Sequence, residues 1–355
     1  MTQAFVLLTA LPPTYGHLDL IQFASTLYVD KVVVLLNTQP DEPLARERHD
    51  ALEASVERLS FGDKIEVVWQ HEEVQQEATG PDDQAFWDNW VGNLHRFGFE
   101  SGDYIVASEG YGVRLAKEAG GRFMVYDRDR WVRYTKGTAA RNDYIREWDN
   151  ILPEFRRYLQ KKVTIFGAES TGKTTLTKAL VDDLVLDGVG ATKLFEWARP
   201  YLEMTGPEVT VEGMHAIWEG QQALQYCTYE NALNPIVIQD TDLYTTIGFW
   251  EDWDIDSMPS GIKVDARMLK SDLYIITKSN IPFEHDELRY GGDERQTNDQ
   301  YWVDICERYG LNYVVLDEQS LSDRVGEAMD AITPLLINPI EYKRVGSEYG
   351  DDHRS

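Results

Sequence analysis

Gly167-Ala168-Glu169-Ser170-Thr171-Gly172-Lys173-Thr174 reads GAESTGKT and fills every fixed position of the G-x-x-x-x-G-K-[ST] spacing. Residues 161–166 before it predict a short buried strand, and residues 175–180 after it predict the start of a helix. A glycine turn between strand and helix lets backbone N–H groups converge on phosphate. The helix N-terminus adds partial positive charge at the same spot. Lys173 can then reach the β- and γ-phosphates, and Thr174 can hold Mg²⁺. An ATP or GTP site follows, with Gly167, Glu169, Ser170, Thr171, Gly172, Lys173, Thr174 and Thr175 as its contacts.

Outward from this loop the pattern is α/β on both sides. Residues 163–166, 236–239, 273–277 and 313–316 read as strands, with helices at 174–186 and 212–231. Toward the N-terminus, strands are predicted at 4–8, 31–37, 65–69, 104–108 and 123–126, with the clearest helices at 17–26 and 46–59. Alternation of this kind predicts parallel sheets. The expected organisation is a Rossmann-like domain over residues 1–159, a phosphate-loop domain over 160–340, and a polar tail over 341–355. The stretch 141–159 reads as helical with an interruption at Pro153, and no long Pro/Gly/Ser linker follows it.

The 355 residues carry 34 basic and 61 acidic side chains, a formal charge of −27. A field of that sign opposes nonspecific binding to nucleic acid and to anionic membranes, while small phosphorylated ligands remain accessible to locally concentrated Arg and Lys. Cys227 and Cys306 show no paired-metal spacing and read as reduced core or near-core residues. The opening VLLTALPP lacks the basic lead and long apolar region of a signal peptide, and no segment has the roughly twenty apolar residues that span a bilayer. A cytoplasmic protein is expected.

Two further motifs belong to the first domain. Thr14-Tyr15-Gly16-His17 follows the first strand and the Pro12-Pro13 turn, bringing a hydroxyl, an approachable backbone and an imidazole to one place. His17 can stabilise a transferring phosphoryl group and departing pyrophosphate. Thr135-Lys136-Gly137-Thr138-Ala139-Ala140-Arg141 places Thr138 and Arg141 three apart, on one face of an incipient helix. Arg141 can donate two parallel hydrogen bonds to phosphate. A helix cap, in both cases, is the competing structural reading.

In the second domain, Ile236-Val237-Ile238-Gln239 ends in Asp240-Thr241-Asp242, an apolar strand running into carboxylates. Either acid would organise Mg²⁺ or orient a hydroxyl near the phosphate loop. Glu196-Trp197-Ala198-Arg199 offers an acid, a planar surface and a base, or else a surface ion pair beside a packed indole. The stretch 282–296 carries two glycines and several charges and reads as a mobile loop, with Arg289 and Arg295 free to neutralise phosphate oxygens on closure.

Taken in order, these motifs resemble the bifunctional NadR family, in which a nicotinamide-mononucleotide (NMN) adenylyltransferase is fused to a ribosylnicotinamide kinase. Thr14–His17 is similar to the family's (H/T)-x-G-H motif, and residues 135–141 to its I-S-x-T-x-x-R motif. The likeness covers about residues 4–335, including Asp127-Arg128-Asp129-Arg130, Trp148, Gly220-Gln221 and the junction into the phosphate loop. It implies that Thr14, Gly16, His17, Thr138 and Arg141 bind ATP in the first domain, with Ser108, Glu109 and Tyr111 on NMN. In the kinase it implies Glu196, Trp197, Arg199, Asp240 and Asp242 around ribosylnicotinamide, Thr174 and Asp240 on Mg²⁺, and Arg289 and Arg295 on a lid. His17, Arg141, Lys173 and Asp240 would be catalytic. Some members begin with a helix-turn-helix repressor domain; here the first strand starts almost at Met1, so none is expected. Residues 8–11 depart from the family's Gly-x-Phe/Tyr turn, and Lys136 stands where serine is usual. The resemblance implies a bifunctional enzyme of NAD salvage using Mg²⁺ and ATP. A kinase with an inactive first domain and a non-catalytic nucleotide sensor stay open, as does homo-oligomerisation.

Overall fold

A computed structural model of the chain describes residues 1–76, 78–80, 82–134, 136–253, 258–283, 297–337 and 340. Two compact units meet in sequence between Tyr158 and Leu159. Ile340 rejoins the first unit, its N–H donating to the Arg141 carbonyl at 3.1 Å.

Five parallel strands form the first sheet: β1 (Gln3–Leu8), β2 (Lys31–Thr38), β3 (Ile65–His71), β4 (Tyr104–Ala107) and β5 (Arg122–Val125), in the order β3-β2-β1-β4-β5. Residues 4–8 of β1 and 32–36 of β2 are continuously apolar because helices cover both faces of the sheet. Val6, Val34, Ile21 and Leu52 pack on one side, and Phe5, Val33, Trp90 and Leu94 on the other. The helices are α1 (Tyr15–Thr26), α2 (Ala45–Val56), α3 (Gln84–Arg96), α4 (Tyr111–Glu118) and the short α5 (Gly137–Asn142) and α6 (Pro153–Arg156). Strand order reverses between β1 and β4, and ligands of open α/β sheets bind at the carboxyl edge of such a switch.

The second unit is built from β6 (Lys161–Phe166), α7 (Lys173–Leu186), β7 (Ala191–Leu194), α8 (Ala198–Thr205), α9 (Val211–Asn231), β8 (Ile236–Asp240), α10 (Leu243–Asp252) and α11 (Ser260–Met268). It continues through β9 (Leu273–Thr277), α12 (Asp299–Tyr309), β10 (Tyr313–Leu316) and α13 (Leu321–Leu336). Its sheet is also parallel, in the order β10-β9-β6-β8-β7. Phe166, Ile276, Ile247 and Trp302 fill one face, and Ile165, Ile238, Leu180 and Ile332 the other. A buried polar chain crosses the centre of this sheet. Gln239 Nε2 donates to Thr164 Oγ1 (2.6 Å) and Ser271 Oγ (2.7 Å), and Tyr229 donates to Gln239 Oε1 (3.0 Å).

Three sequence expectations need correction. The stretch 141–159 is not one helix: α5 stops at Asn142, Trp148–Asn150 makes a single 3-10 turn, and Pro153 starts α6 rather than breaking a longer helix. The short edge strand β7 went unread, because two of its four residues are Thr192 and Lys193 and only Leu194 is buried. Cys306 is buried, whereas Cys227 is exposed, off the inward stripe of α9 that runs through Met214, Ile217, Gln221, Gln225 and Tyr229. Both thiols are free. No helix among the described residues is long and apolar enough to cross a membrane.

Tyr274, fully buried, joins the two ends of the polar layer: its hydroxyl donates to Asp242 Oδ2 (2.8 Å) and accepts from the Ser271 N–H (3.1 Å). Tyr274→Phe strands both partners, and we expect a loss of about 1–3 kcal/mol in urea unfolding monitored by circular dichroism. Unchanged stability would show that these bonds contribute nothing net.

Candidate functional sites

The turn after β6 has the shape its glycines permit. Gly167 has φ 134°, and a Cβ there would lie 2.7 Å from the Thr277 carbonyl oxygen at the end of β9. Gly172, at φ 76°, caps α7 in the left-handed region. Thr171, fully buried, donates or accepts at Thr277 Oγ1 (2.6 Å) and bonds the Ala168 carbonyl (2.8 Å), fixing the loop from inside. Lys173 Nζ folds back on the Gly167 (3.0 Å) and Ala168 (2.7 Å) carbonyls. Glu169 accepts from Thr297 Oγ1 at 3.2 Å.

A cavity of about 570 Å³ opens from this loop, ordinary for a small-molecule site. Glu169 to Thr175 form one wall; Glu196, Arg199, Met214, Ile217, Gln221, Asp240, Phe249 and Trp253 lie elsewhere on its lining. Asp240 ends β8, 2% exposed, and accepts a short hydrogen bond from Thr174 Oγ1 on Oδ2. Its Oδ1 is buried and has no hydrogen-bond partner among the described residues. A hydroxyl and a half-satisfied carboxylate, both hard oxygen donors beside a phosphate loop, fit Mg²⁺.

Asp242 does something else. It is 1% exposed and is not among the cavity-lining residues. Its Oδ1 caps α10 by accepting from the Thr245 N–H (3.1 Å), and its Oδ2 accepts from Tyr274. Burial pushes its pKa up to about 6, against the opposing pull of those hydrogen bonds. Trp197 also departs from the expected ligand-facing role. It is absent from the lining, and its indole lies so close over Gly220 that a Cβ there would be 1.9 Å from Nε1. The cavity's aromatic surfaces come from Phe249 and Trp253. Arg289 and Arg295 lie outside the described residues.

Arg324 of α13 lines the same cavity and was not singled out from sequence, where nothing marks one arginine 150 residues from the loop. It is 3% exposed, donates from Nη2 to the Thr171 carbonyl (2.8 Å), and would sit 3.2 Å from a Cβ on Gly172. Burial lowers its pKa from the usual arginine value, with Glu327 opposing. It adds fixed positive charge beside the loop.

In the first unit the turn after β1 is held from two sides. The Leu152 N–H donates to the Pro13 carbonyl (3.0 Å), and Thr14 bridges to Ile151. Fully buried Arg48, also unread in the sequence, donates to the Thr9 carbonyl (2.9 Å) and pairs with Glu42. Thr14 is the N-cap of α1, with His17 at the third helical position. His17 Nδ1 accepts from the Thr14 N–H (3.0 Å) and meets Thr14 Oγ1 at 2.8 Å. Because Nδ1 is an acceptor, a neutral His17 carries its proton on Nε2. Burial, and then the nearby charge of Arg130, lower its pKa to about 4.

Gly137 begins α5 against that ring: a Cβ would lie 3.1 Å from His17 Cε1 and 3.4 Å from Nε2. The glycine thereby brings the two motifs together. Arg141 is 9% exposed and donates to Thr138 Oγ1 at 3.2 Å. Lys136 is the exposed N-cap of α5, and Thr135 lies outside the described residues. Ser108, Glu109 and Tyr111 follow β4, the strand that pairs directly with β1, and Tyr111 opens α4. Asp127 ties the preceding loop by accepting from the N–H groups of Trp131, Val132 and Arg133 (2.8, 3.1 and 3.0 Å). Trp148 is buried in the unit's interior.

The first unit has a nucleotidyltransferase-like fold and the second a phosphate-loop, AAA/kinase-like fold. An AAA domain family matches residues 162–324. Over 259 residues the chain is 23% identical to the trifunctional NAD biosynthesis/regulator protein NadR of Escherichia coli (strain K12) and 22% to that of Salmonella typhimurium. Each alignment takes in 70% of this chain and 62% of the relative. A crystal structure of NadR with NR superposes with a TM-score of 0.64 at 20% identity, and one of NadR with NAD and AMP-PNP with 0.65 at 21%. Both comparisons cover 96% of this chain and 98% of the other. The chain is thus similar in sequence to NadR proteins over 259 residues and shares the fold of the two NadR crystal structures.

The lowered pKa of His17 can be read directly. Between about pH 4 and 6.5 the unfolded chain binds the proton that the folded chain refuses, so this group's contribution to stability rises with pH in that window. In a histidine NMR titration from pH 8 to 5, His17 should stay neutral with its proton on Nε2. A midpoint near the ordinary value of about 6.5 would contradict this environment.

Proposed function

We propose that the chain is a bifunctional enzyme of NAD salvage, phosphorylating ribosylnicotinamide with ATP in the second unit and adenylylating NMN with ATP in the first. The observation that carries this reading is the pairing, in one chain, of the Thr174–Asp240 cleft with the His17–Gly137 contact. Homology to NadR proteins supports the substrates.

In the kinase unit, the phosphate loop binds the triphosphate and Lys173 exchanges its carbonyl partners for β- and γ-oxygens. The ribose 5′-hydroxyl oxygen attacks the γ-phosphorus, the bond to the β–γ bridging oxygen breaks, ADP leaves, and the hydroxyl proton is released to solvent. Thr174 and Asp240 would hold Mg²⁺, which when bound offsets charge on the phosphate oxygens. Asp240 lines the cleft with its Oδ1 unpaired among the described residues, whereas Asp242 keeps the α10 terminus in place. Arg324 and Arg199 add positive charge along the cavity.

In the first unit, an NMN phosphate oxygen attacks the α-phosphorus of ATP and pyrophosphate departs. The nucleophile belongs to the substrate, so the unit's task is alignment and charge stabilisation. Neutral His17 donates from Nε2 to the developing charge, and Arg141 and Thr138 meet phosphate oxygens. Ser108, Glu109 and Tyr111 stand where NMN would lie, beyond β4. The enzyme so defined is cytoplasmic, with ATP, NMN and ribosylnicotinamide as its partners and no nucleic-acid role.

Product chromatography tests both halves. Lys173→Ala should lower conversion of ribosylnicotinamide to NMN by a hundredfold or more, on the scale of losing one preorganised charge contact, and leave NAD formation intact. Equal loss of both products in a folded variant would contradict two separate sites.

Gly137→Ala should do the reverse. Displacing His17 by a few tenths of an ångström or more should slow NAD formation by about tenfold to a hundredfold without touching the kinase. An unaltered Gly137→Ala rate would remove His17 from the chemistry, and absence of NAD formation by the wild type would remove the first activity.

A further inference from the structure

Gly220 and Gln221 sit midway along α9, and neither has a role in the chemistry above. Gly220 lets the Trp197 indole lie directly on the helix. Gln221 then accepts the Trp197 backbone N–H on Oε1 at 2.9 Å. That contact fixes the side-chain amide, because only its oxygen can accept. The amide nitrogen must therefore occupy the other position. Gln221 is 2% exposed and lines the cavity, yet Nε2 has no hydrogen-bond partner among the described residues. The next glutamine on the same stripe behaves differently: Gln225 Nε2 donates to Tyr229 (3.1 Å) and Gln239 (3.3 Å).

A buried amide N–H left unpaired opposes folding, and an apolar residue would avoid that cost. A donor kept in such a place at the wall of a ligand cavity points to a partner on the ligand. Asp240 offers the cavity acceptor oxygens, and Lys173 and Arg324 offer charged donors suited to phosphate. Gln221 supplies an uncharged donor, on the wall formed by α9 with Met214 and Ile217 rather than on the phosphate loop.

We propose that Gln221 Nε2 is a specificity-determining donor to an uncharged oxygen of the phosphoryl-acceptor nucleoside, either a sugar hydroxyl or the ring carboxamide. The assignment rests on the kinase reading of this cavity. By holding Trp197 with one atom and the substrate with the other, Gln221 couples the start of α8, and so Glu196 and Arg199, to acceptor recognition.

Gln221→Glu separates the two roles, because a carboxylate oxygen still accepts from Trp197 while the other oxygen cannot donate. Steady-state kinetics should show KM for ribosylnicotinamide raised by about tenfold or more, as expected when a polar contact in a buried site is mismatched, with KM for ATP within about twofold. A KM for ribosylnicotinamide within threefold of wild type would mean that Gln221 only holds Trp197, and would overturn the proposal. Wild-type kinetics with two analogues, one lacking the carboxamide and one lacking the 2′-hydroxyl, give an arm independent of variant folding. The analogue missing the partner oxygen should show a KM raised by about tenfold and no further penalty in Gln221→Glu. Both analogues matching the parent would overturn the proposal as well. A wild type that forms no NMN from ribosylnicotinamide and ATP removes the kinase reading itself, and this assignment with it.

Discussion

The contact between Gly167 and the end of β9 is the constraint on which the second unit depends. With φ at 134° and the Thr277 carbonyl within 2.7 Å of any Cβ, no other residue fits there without moving a central strand. That close approach lets Thr277 Oγ1 reach both the Phe166 carbonyl (3.1 Å) and Thr171 (2.6 Å), so the loop is bonded to the sheet before any ligand arrives. The neighbouring strand β8 delivers Asp240 to Thr174 from the opposite side of β6. On the kinase reading proposed above, a loop fixed in this way leaves Lys173 as the group that must change partners when phosphate binds.

The first unit meets the same electrostatic demand with a different device. No glycine-rich cradle follows β1; a helix N-terminus is capped instead by Thr14, with His17 turned back onto it. Burial and Arg130 favour the uncharged imidazole, whose Nδ1 accepts from Thr14 and whose Nε2 carries the proton.

Much of this was legible in the sequence because it is local. The phosphate loop, its strand and its helix lie within one run of residues, as do Thr14–His17 and α1. What stayed hidden depends on contacts between distant segments. Asp240 and Asp242 are two apart and chemically identical; only the fold shows that one meets Thr174 while the other caps α10 and binds Tyr274. Arg324 and Arg48 look like ordinary surface-helix arginines until burial and carbonyl partners are seen. Trp197 reads as a ligand platform, yet Gly220 takes its face. Gly137 reads as a flexible turn residue, and its working property is the space it leaves for His17.

Equilibrium binding of a non-hydrolysable ATP analogue in the presence of Mg²⁺ decides whether one chain holds two independent nucleotide sites. Two analogue molecules should bind per chain, falling to one when Lys173 is replaced by alanine. A single site in the wild-type chain, abolished by that same substitution, would contradict it.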